Sequence, residues 1–468
     1  MQIDNMKRFF NEKYVIWFAS AASLFHIILG LLRHFTDVTG LYPLDHALIL
    51  VAMTTGIIHL IISRVRFRFG KAYLILLILF LWYLLSCQVM TDTYGRDWFS
   101  YNRDPLFDFL MLSGLVFPLG IYMARKGFDV IVGIMIHALF FVWTGFMLYI
   151  LIHVFQNRII NLPSGGQIGM NSEIALCLNT HYNTTGVIEF VMLIIAAFFI
   201  FTGRSIPLRI AYGASGLIHM AALALSNSRT ALLVAAIFFG ACVFGVVFNA
   251  KWNLSLFKRL IIGTAAAVGT VIFFILFRRF VYSVHENITH LQALLHGASE
   301  TNASAGDSAA RDLTSMESMN ERFQVWQFAL QAMVIDAKRF FFGVTPVSVI
   351  SVISDLSGER FNFYSHNQFL EIGVSLGVPG MLLFVLFVAL LAKYSFQIAI
   401  RQNEGLKAWV VISAVVTLLL ANMTEATLMF YRFLSSYAFF LFSGWICGTA
   451  ARQSERKEQS SRTGKRRK

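Results

Sequence analysis

Long apolar runs alternate with short polar connections over almost the whole chain of 468 residues. Windows of helix-spanning length fall near 14–32, 46–63, 71–90, 106–124, 128–152, 187–202, 206–225, 230–249, 260–277, 369–392, 408–425 and 430–451. A bilayer core is crossed by about 20 apolar residues in a helix, so the pattern predicts about twelve transmembrane helices. No stretch has the period-two alternation of an outer-membrane barrel. The predicted fold class is all-α, a polytopic helical membrane protein. One polar interruption is far longer than the rest: residues 278–368, from Arg278-Arg279 to the His366-Asn367 pair. Short turns suffice to join membrane helices, so a connection of this length is expected to carry function. The chain thus divides into 1–277 with spans one to nine, the 278–368 loop, 369–451 with spans ten to twelve, and a basic 452–468 tail.

Composition agrees: 57% of residues are hydrophobic and 13% charged, which excludes an ordinary soluble domain. The formal net charge of +13 would suit a nucleic-acid partner only beside a recognisable binding module, and none is present. The excess reads as topological. Lys7, Arg8 and Lys13, Arg64 to Lys71, Arg125 and Lys126, Arg204 and Arg209, Lys251 to Arg259, and Lys393 to Lys407 fall on alternate connections. With an even span count they share one side with both termini, and the positive-inside rule makes that side the cytoplasm. The long loop then faces outward, as do the connections near 91–105 and 153–186. The tail from Gln453 reads as disordered, touching anionic lipid at most. Met1–Lys13 has no small-residue cleavage pattern and reads as the lead into a first anchor. Cys87, Cys242 and Cys447 lie in spans and Cys177 in an outer loop, so no disulfide framework is implied. No CxxC or His/Cys cluster points to a metal site.

Candidate chemistry collects on the outer side. Span seven ends Ser226-Asn227-Ser228-Arg229, which puts Arg229 at or just below the outer surface. A cation at that depth is costly unless paired, which marks a functional site; an arginine snorkelling to head groups is the alternative. Within the loop, residues 296–318 read as a mobile polar stretch. Glu321–Leu330 reads as an amphipathic helix with Phe323, Trp326 and Leu330 on a lipid-facing side and Arg322 projecting from its first turn. Spacing alone does not separate a substrate-binding Arg322 from a solvated one. His366 stands one turn before an apolar helix, where a neutral imidazole can accept a proton; an ordinary interfacial histidine has the same surroundings. Glu371 lies on the first turn of span ten and complements the helix N-terminus. Glu425, at the outer end of span eleven, is open between an arginine partner, helix capping and solvent. His285, His290 and His296 read as loop histidines, and Asp92, Asp97, Asp104 and Asp108 as solvated charge.

Taken in order, three blocks resemble the O-antigen ligase and polymerase superfamily. They are Ser226-Asn227-Ser228-Arg229-Thr230-Ala231-Leu232-Leu233, then Glu321-Arg322 with Trp326 and Ala329-Leu330 followed by Gly343, and then Ser365-His366-Asn367 leading through Glu371 into Gly377-Val378-Pro379-Gly380. The resemblance implies an integral-membrane glycosyltransferase acting on a polyprenyl-diphosphate-linked glycan donor and a glycan or lipid-linked glycan acceptor. It implies that Arg229 and Arg322 grip the diphosphate and that His366 serves as base on the acceptor hydroxyl, in one inverting displacement. Asn367 and Glu371 would position His366 or the acceptor, and Trp326 joins them as a candidate for substrate contact. Arginines would stand in for the divalent cation, so no metal or cofactor is expected. Membrane lipids, and a chain-length regulator as a possible partner, complete the set. The implied location is the bacterial inner membrane, multi-pass, with the site on the extracytoplasmic face. Polymerisation of repeat units is the favoured activity, being the most widespread role. Ligase-type transfer of a finished glycan is the alternative within the superfamily. A flippase is the alternative outside it, although such a transporter expects charged groups along a path through the bilayer, often with internal repeats.

Overall fold

The structure, a computed structural model, describes residues 12–63, 70–94, 98–126, 130–162, 166–170, 175–178, 182–203, 205–249, 255–295, 317–358, 365–401, 405–430 and 432–465. The helices are α1 (Glu12–Leu32), α2 (Tyr42–Ser63), α3 (Lys71–Tyr94), α4 (Trp98–Met111), α5 (Phe117–Lys126), α6 (Val130–Phe155), α7 (Tyr182–Thr202), α8 (Ile206–Leu225), α9 (Arg229–Asn249), α10 (Leu256–Leu295), α11 (Glu317–Val334), α12 (Ala337–Phe342), α13 (Val349–Ser357), α14 (Gln368–Arg401), α15 (Gly405–Ala421) and α16 (Leu434–Lys465). Among the described residues, 11 helices are long and apolar enough to cross a membrane, counting α4 and α5 as one. α15, with 17 residues, is a shorter apolar helix and corresponds to predicted span eleven. The all-α polytopic expectation is met, with one addition. The connection after α6 holds a small antiparallel sheet of β1 (Ile160–Asn161), β2 (Gln167–Met170) and β3 (Leu176–Leu178) in that order.

Helix packing follows from side-chain size. Gly120 on α5 faces Gly444 on α16, Gly448 faces Ile121 and Ala124, and a Cβ on Gly120 would collide with the Leu441 carbonyl. Small residues at this spacing let two backbones touch where no hydrophobic effect separates helix from lipid. α4 and α5 are joined by a π-helical turn over Leu112–Val116, directly before Pro118. The proline ring has no N–H to give the preceding turn, and widening that turn absorbs the loss.

Two boundaries differ from expectation. α10 runs unbroken for 40 residues to Leu295, so Arg278-Arg279 do not end the span. No glycine or proline follows until Gly297, and the buried Arg278 side chain donates to Asn227 in the turn between α8 and α9 instead of needing solvent. α16 continues to Lys465 through the tail expected to be disordered. Its Glu, Gln, Lys and Arg residues are good helix formers, and Arg125 Nη2 donates to Glu455 Oε1 at 3.0 Å. The stretch at 296–318 expected to be mobile lies, except for residues 317 and 318, outside the described residues.

The long loop folds onto the bundle. α11 buries Val325, Ala329, Ala332 and Met333, a helical stripe, against Val349, Val352 and Ile353 of α13 and Val374 of α14. The Phe323 and Leu330 side predicted to be apolar is the exposed one, at 49% and 50%. α12 then meets α14 where α14 is broken at Gly377, whose φ of 74° is non-helical. The carbonyls freed by this break are taken by loop and span donors. Val344 N donates to Val374 O at 2.8 Å, Thr345 N to Ser375 O at 2.9 Å, and Trp82 Nε1 of α3 to Leu376 O at 2.9 Å. Irregular backbone is tolerated within a span only when its polar groups are satisfied by protein in this way. The Gly343 and Gly377-x-Pro379-Gly380 elements are therefore the two sides of one crossing.

Inside the bundle, a second polar network joins α6, α7 and α8. His219 Nδ1 lies 2.6 Å from Glu189 Oε2, Trp143 Nε1 donates to Glu189 Oε1 at 3.0 Å, and His219 Nε2 lies 2.9 Å from Thr144 Oγ1. Glu189 and His219 are both fully buried. Removing one partner strands the other in a low-dielectric interior. Glu189→Ala is expected to cost about 3–5 kcal/mol, read as a lower melting temperature of the detergent-solubilised protein.

Candidate active site

The Ser226-Asn227-Ser228-Arg229 turn joins α8 to α9. Asn227 takes φ 56°, a left-handed conformation that asparagine tolerates, and Ser228 Oγ accepts from Ala231 N at 3.4 Å as helix cap. Gly186 of α7 leaves room for the turn, since a Cβ there would stand 2.6 Å from Ser228 Cβ. The outcome is Arg229 at the N-terminus of a 21-residue helix, where unpaired N–H groups and the helix dipole favour an anion. Arg278 closes over the same turn, donating from Nη2 to Asn227 Oδ1 at 2.7 Å. Its guanidinium is near enough to Arg229 and Arg279 to feel their charge. Sequence reading took Arg278-Arg279 as an interfacial stop and so missed it.

Arg322 and His366 meet on one carboxylate. Arg322 Nη2 donates to Glu425 Oε1 at 3.1 Å and Nη1 to the Thr424 carbonyl at 2.9 Å. His366 Nδ1 lies 3.5 Å from Glu425 Oε2. All three side chains are largely buried, at 16%, 19% and 10% exposure for Arg322, His366 and Glu425. The next residue ties in the third element, because Thr424 Oγ1 is hydrogen-bonded to Thr230 Oγ1 at 3.0 Å, one residue from Arg229. Residues 424 and 425 thus connect all three predicted motifs. Glu425 had been read as one option among three, and its pairing with an arginine is the one realised.

The turn carrying His366 is held by its neighbours. Asn367 Oδ1 accepts from Phe369 N at 3.0 Å and Leu370 N at 3.3 Å, capping α14. The Glu371 carboxylate accepts from Ser365 N at 3.0 Å and Ser365 Oγ at 2.8 Å. Glu371 is fully buried, so it and Asn367 act on the turn that presents His366. Trp326 lies one helical turn beyond Arg322 on α11, half-buried, with Phe323 edge-on at 5.2 Å. Among the described residues its buried indole N–H has no hydrogen-bond partner.

Two readings of solvated residues do not hold. Asp108 is buried and accepts from Arg432 Nε at 2.8 Å, and His285 packs against Phe155 with ring centroids 5.9 Å apart. Both were assigned to loops because their helices were drawn too short.

Residues 214–385 match the family model described as O-Antigen ligase. No curated protein compared with the chain matches it. The matched stretch runs from α8 into α14 and holds Arg229, Arg322 and His366, so this part of the chain is similar to the O-antigen ligase family.

Proposed function

We propose that the protein polymerises polyprenyl-diphosphate-linked oligosaccharide repeat units into a surface polysaccharide, by inverting, metal-independent glycosyl transfer on the extracytoplasmic face of the bacterial inner membrane. The observation that carries this reading is Glu425, which draws Arg322 and His366 together while Thr424 reaches the start of α9. The lysine and arginine pattern supports the direction, since the site lies at the ends of spans opposite the basic connections.

The chemistry follows from the groups present. Arg229, Arg322 and the N-terminus of α9 receive the diphosphate, with Arg278 adding charge beside them. His366 turns Nδ1 to Glu425, which leaves Nε2 as the atom that accepts the acceptor hydroxyl proton. The acceptor oxygen bonds to the anomeric carbon from the face opposite the diphosphate. The bond from that carbon to the diphosphate oxygen breaks, its electron pair stays on the leaving group, and the arginines stabilise the added charge. Glu425 stabilises the imidazolium that forms. Trp326 offers an aromatic face and an N–H donor to a sugar.

Proteoliposomes given only labelled polyprenyl-diphosphate repeat units test this. A ladder of chain lengths is the expected product. Product that forms only after a lipid, protein or wall acceptor is added would assign the ligase reaction instead.

A further inference from the structure

The segment between α15 and α16, described over 422–430 and 432–433, carries Glu425 and is anchored at its far end by a buried ion cluster. Arg432 directs each guanidinium nitrogen to a different partner: Nε to Asp108 Oδ1 at 2.8 Å, Nη1 toward Asp45 Oδ2 at 3.3 Å and Nη2 toward His46 Nε2 at 3.4 Å. The Tyr42 ring lies 3.9 Å from the guanidinium carbon. His26 of α1 stands between the same two carboxylates, with Nδ1 2.5 Å from Asp45 and Nε2 3.3 Å from Asp108. Arg432, Asp45, Asp108 and His26 are all buried. One side chain thereby fixes the segment against α2 and α4 directly, and against α1 through His26.

Hydrogen bonds carry that fixation back to Glu425. Phe430, at φ 67°, sets its ring between Tyr83 and Phe109 at 5.3 and 5.9 Å. Leu428 N donates to Gln368 Oε1 at 2.8 Å and Thr427 N to Asn422 Oδ1 at 2.6 Å. Gln368 N in turn donates to Asn422 O at 2.8 Å, which closes the segment onto the residue after Asn367. Glu425 sits inside this frame. A buried ion cluster is a costly way to hold a loop, since apolar packing gives equal stability, and its attested use is to fix one geometry among alternatives.

We infer that Arg432 is a positioning residue for glycosyl transfer: its pairing with Asp45 and Asp108 lets the amino-terminal helices set Glu425, and through Glu425 the placement of Arg322 and His366. This rests on the transferase reading above. The amino-terminal helices thereby act on the site through one arginine.

A double-mutant cycle tests it in proteoliposomes, with Arg432→Lys and Asp108→Asn each made alone and with Glu425→Gln. Lysine keeps the charge and loses the fork. Arg432→Lys is expected to lower kcat about 10- to 10²-fold with KM for the lipid-linked donor little changed, as for a misplacement of about 1 Å. With glutamine at 425 the same change is expected to matter by less than about 2-fold, because its route to the site is already cut. Equal losses in both backgrounds would mean a general structural effect and would overturn the proposal. Hydrogen exchange at the Thr427 and Leu428 amides gives a reading independent of turnover. It should speed up in Arg432→Lys and Asp108→Asn, and unchanged exchange would also overturn the proposal. If the native protein forms no glycosidic bonds, the transferase reading fails and the proposal falls with it. That outcome is distinct from an active native protein with additive variants.

Discussion

Replacing His366 by asparagine is expected to cut glycosyl transfer by about 10²- to 10⁴-fold while leaving the protein folded. The size follows from losing the proton acceptor in the step where the acceptor oxygen attacks. Folding should survive because the turn is held by the backbone and side-chain bonds of Asn367, Ser365 and Glu371. Asparagine is the better replacement because position 366 has φ 52°, a left-handed conformation in which asparagine, like histidine, is enriched and alanine is not. The check is turnover of a labelled lipid-diphosphate donor, with the melting temperature measured on the same sample. A large loss of turnover with an unchanged melting temperature is the expected pair.

Replacing Gly377 by alanine is expected to unfold the crossing between α12 and α14. The backbone there has φ 74°, and an added Cβ would overlap the Phe341 carbonyl group. Strain of about 1–2 kcal/mol joins an overpacking cost of about 1–3 kcal/mol, a large part of the stability of any domain. Because the same crossing seats α11 through Val344 and Val374, activity should fall with stability. Gly213→Ala provides the comparison. Among the described residues no atom beyond its chain neighbours and its own helix backbone lies within 4 Å of its Cβ position, so a change within about 1 kcal/mol is expected. Thermal melting of the two variants separates them.

The membrane helices were legible because burial in lipid demands long uninterrupted apolar runs, and the chain supplies them. Arg229, His366 and the glycines at 343 and 377 stood out through the blocks that resemble the superfamily, since on position alone Arg229 and His366 each had an ordinary interfacial alternative. Glu425 was not, since its partners at 322 and 366 come from other elements and a lone glutamate at a helix end suits three roles equally. The Arg432 cluster was least legible of all. Its members at 26, 45, 108 and 432 stand apart in sequence, and each alone resembles an interfacial charge. Arg278-Arg279 misled because a charged pair after an apolar run usually marks the membrane surface, and here a buried asparagine receives the first of them. The packed side of α11 was harder to read than its exposed one: Phe323 and Leu330 stay exposed as expected of a lipid-facing side, while the face that meets α13 and α14 is built on the small alanines at 329 and 332.

The central claim is that Arg229, Arg322 and His366 form one glycosyl-transfer site held by Glu425. Glycosidic-bond formation from a labelled polyprenyl-diphosphate repeat unit in proteoliposomes, comparing the native protein with Glu425→Ala, tests it most directly. The account predicts new bonds with release of the lipid diphosphate in equal amount, and loss of both in the variant. Passage of the labelled lipid across the bilayer without a new bond, or undiminished bond formation by Glu425→Ala, would contradict it.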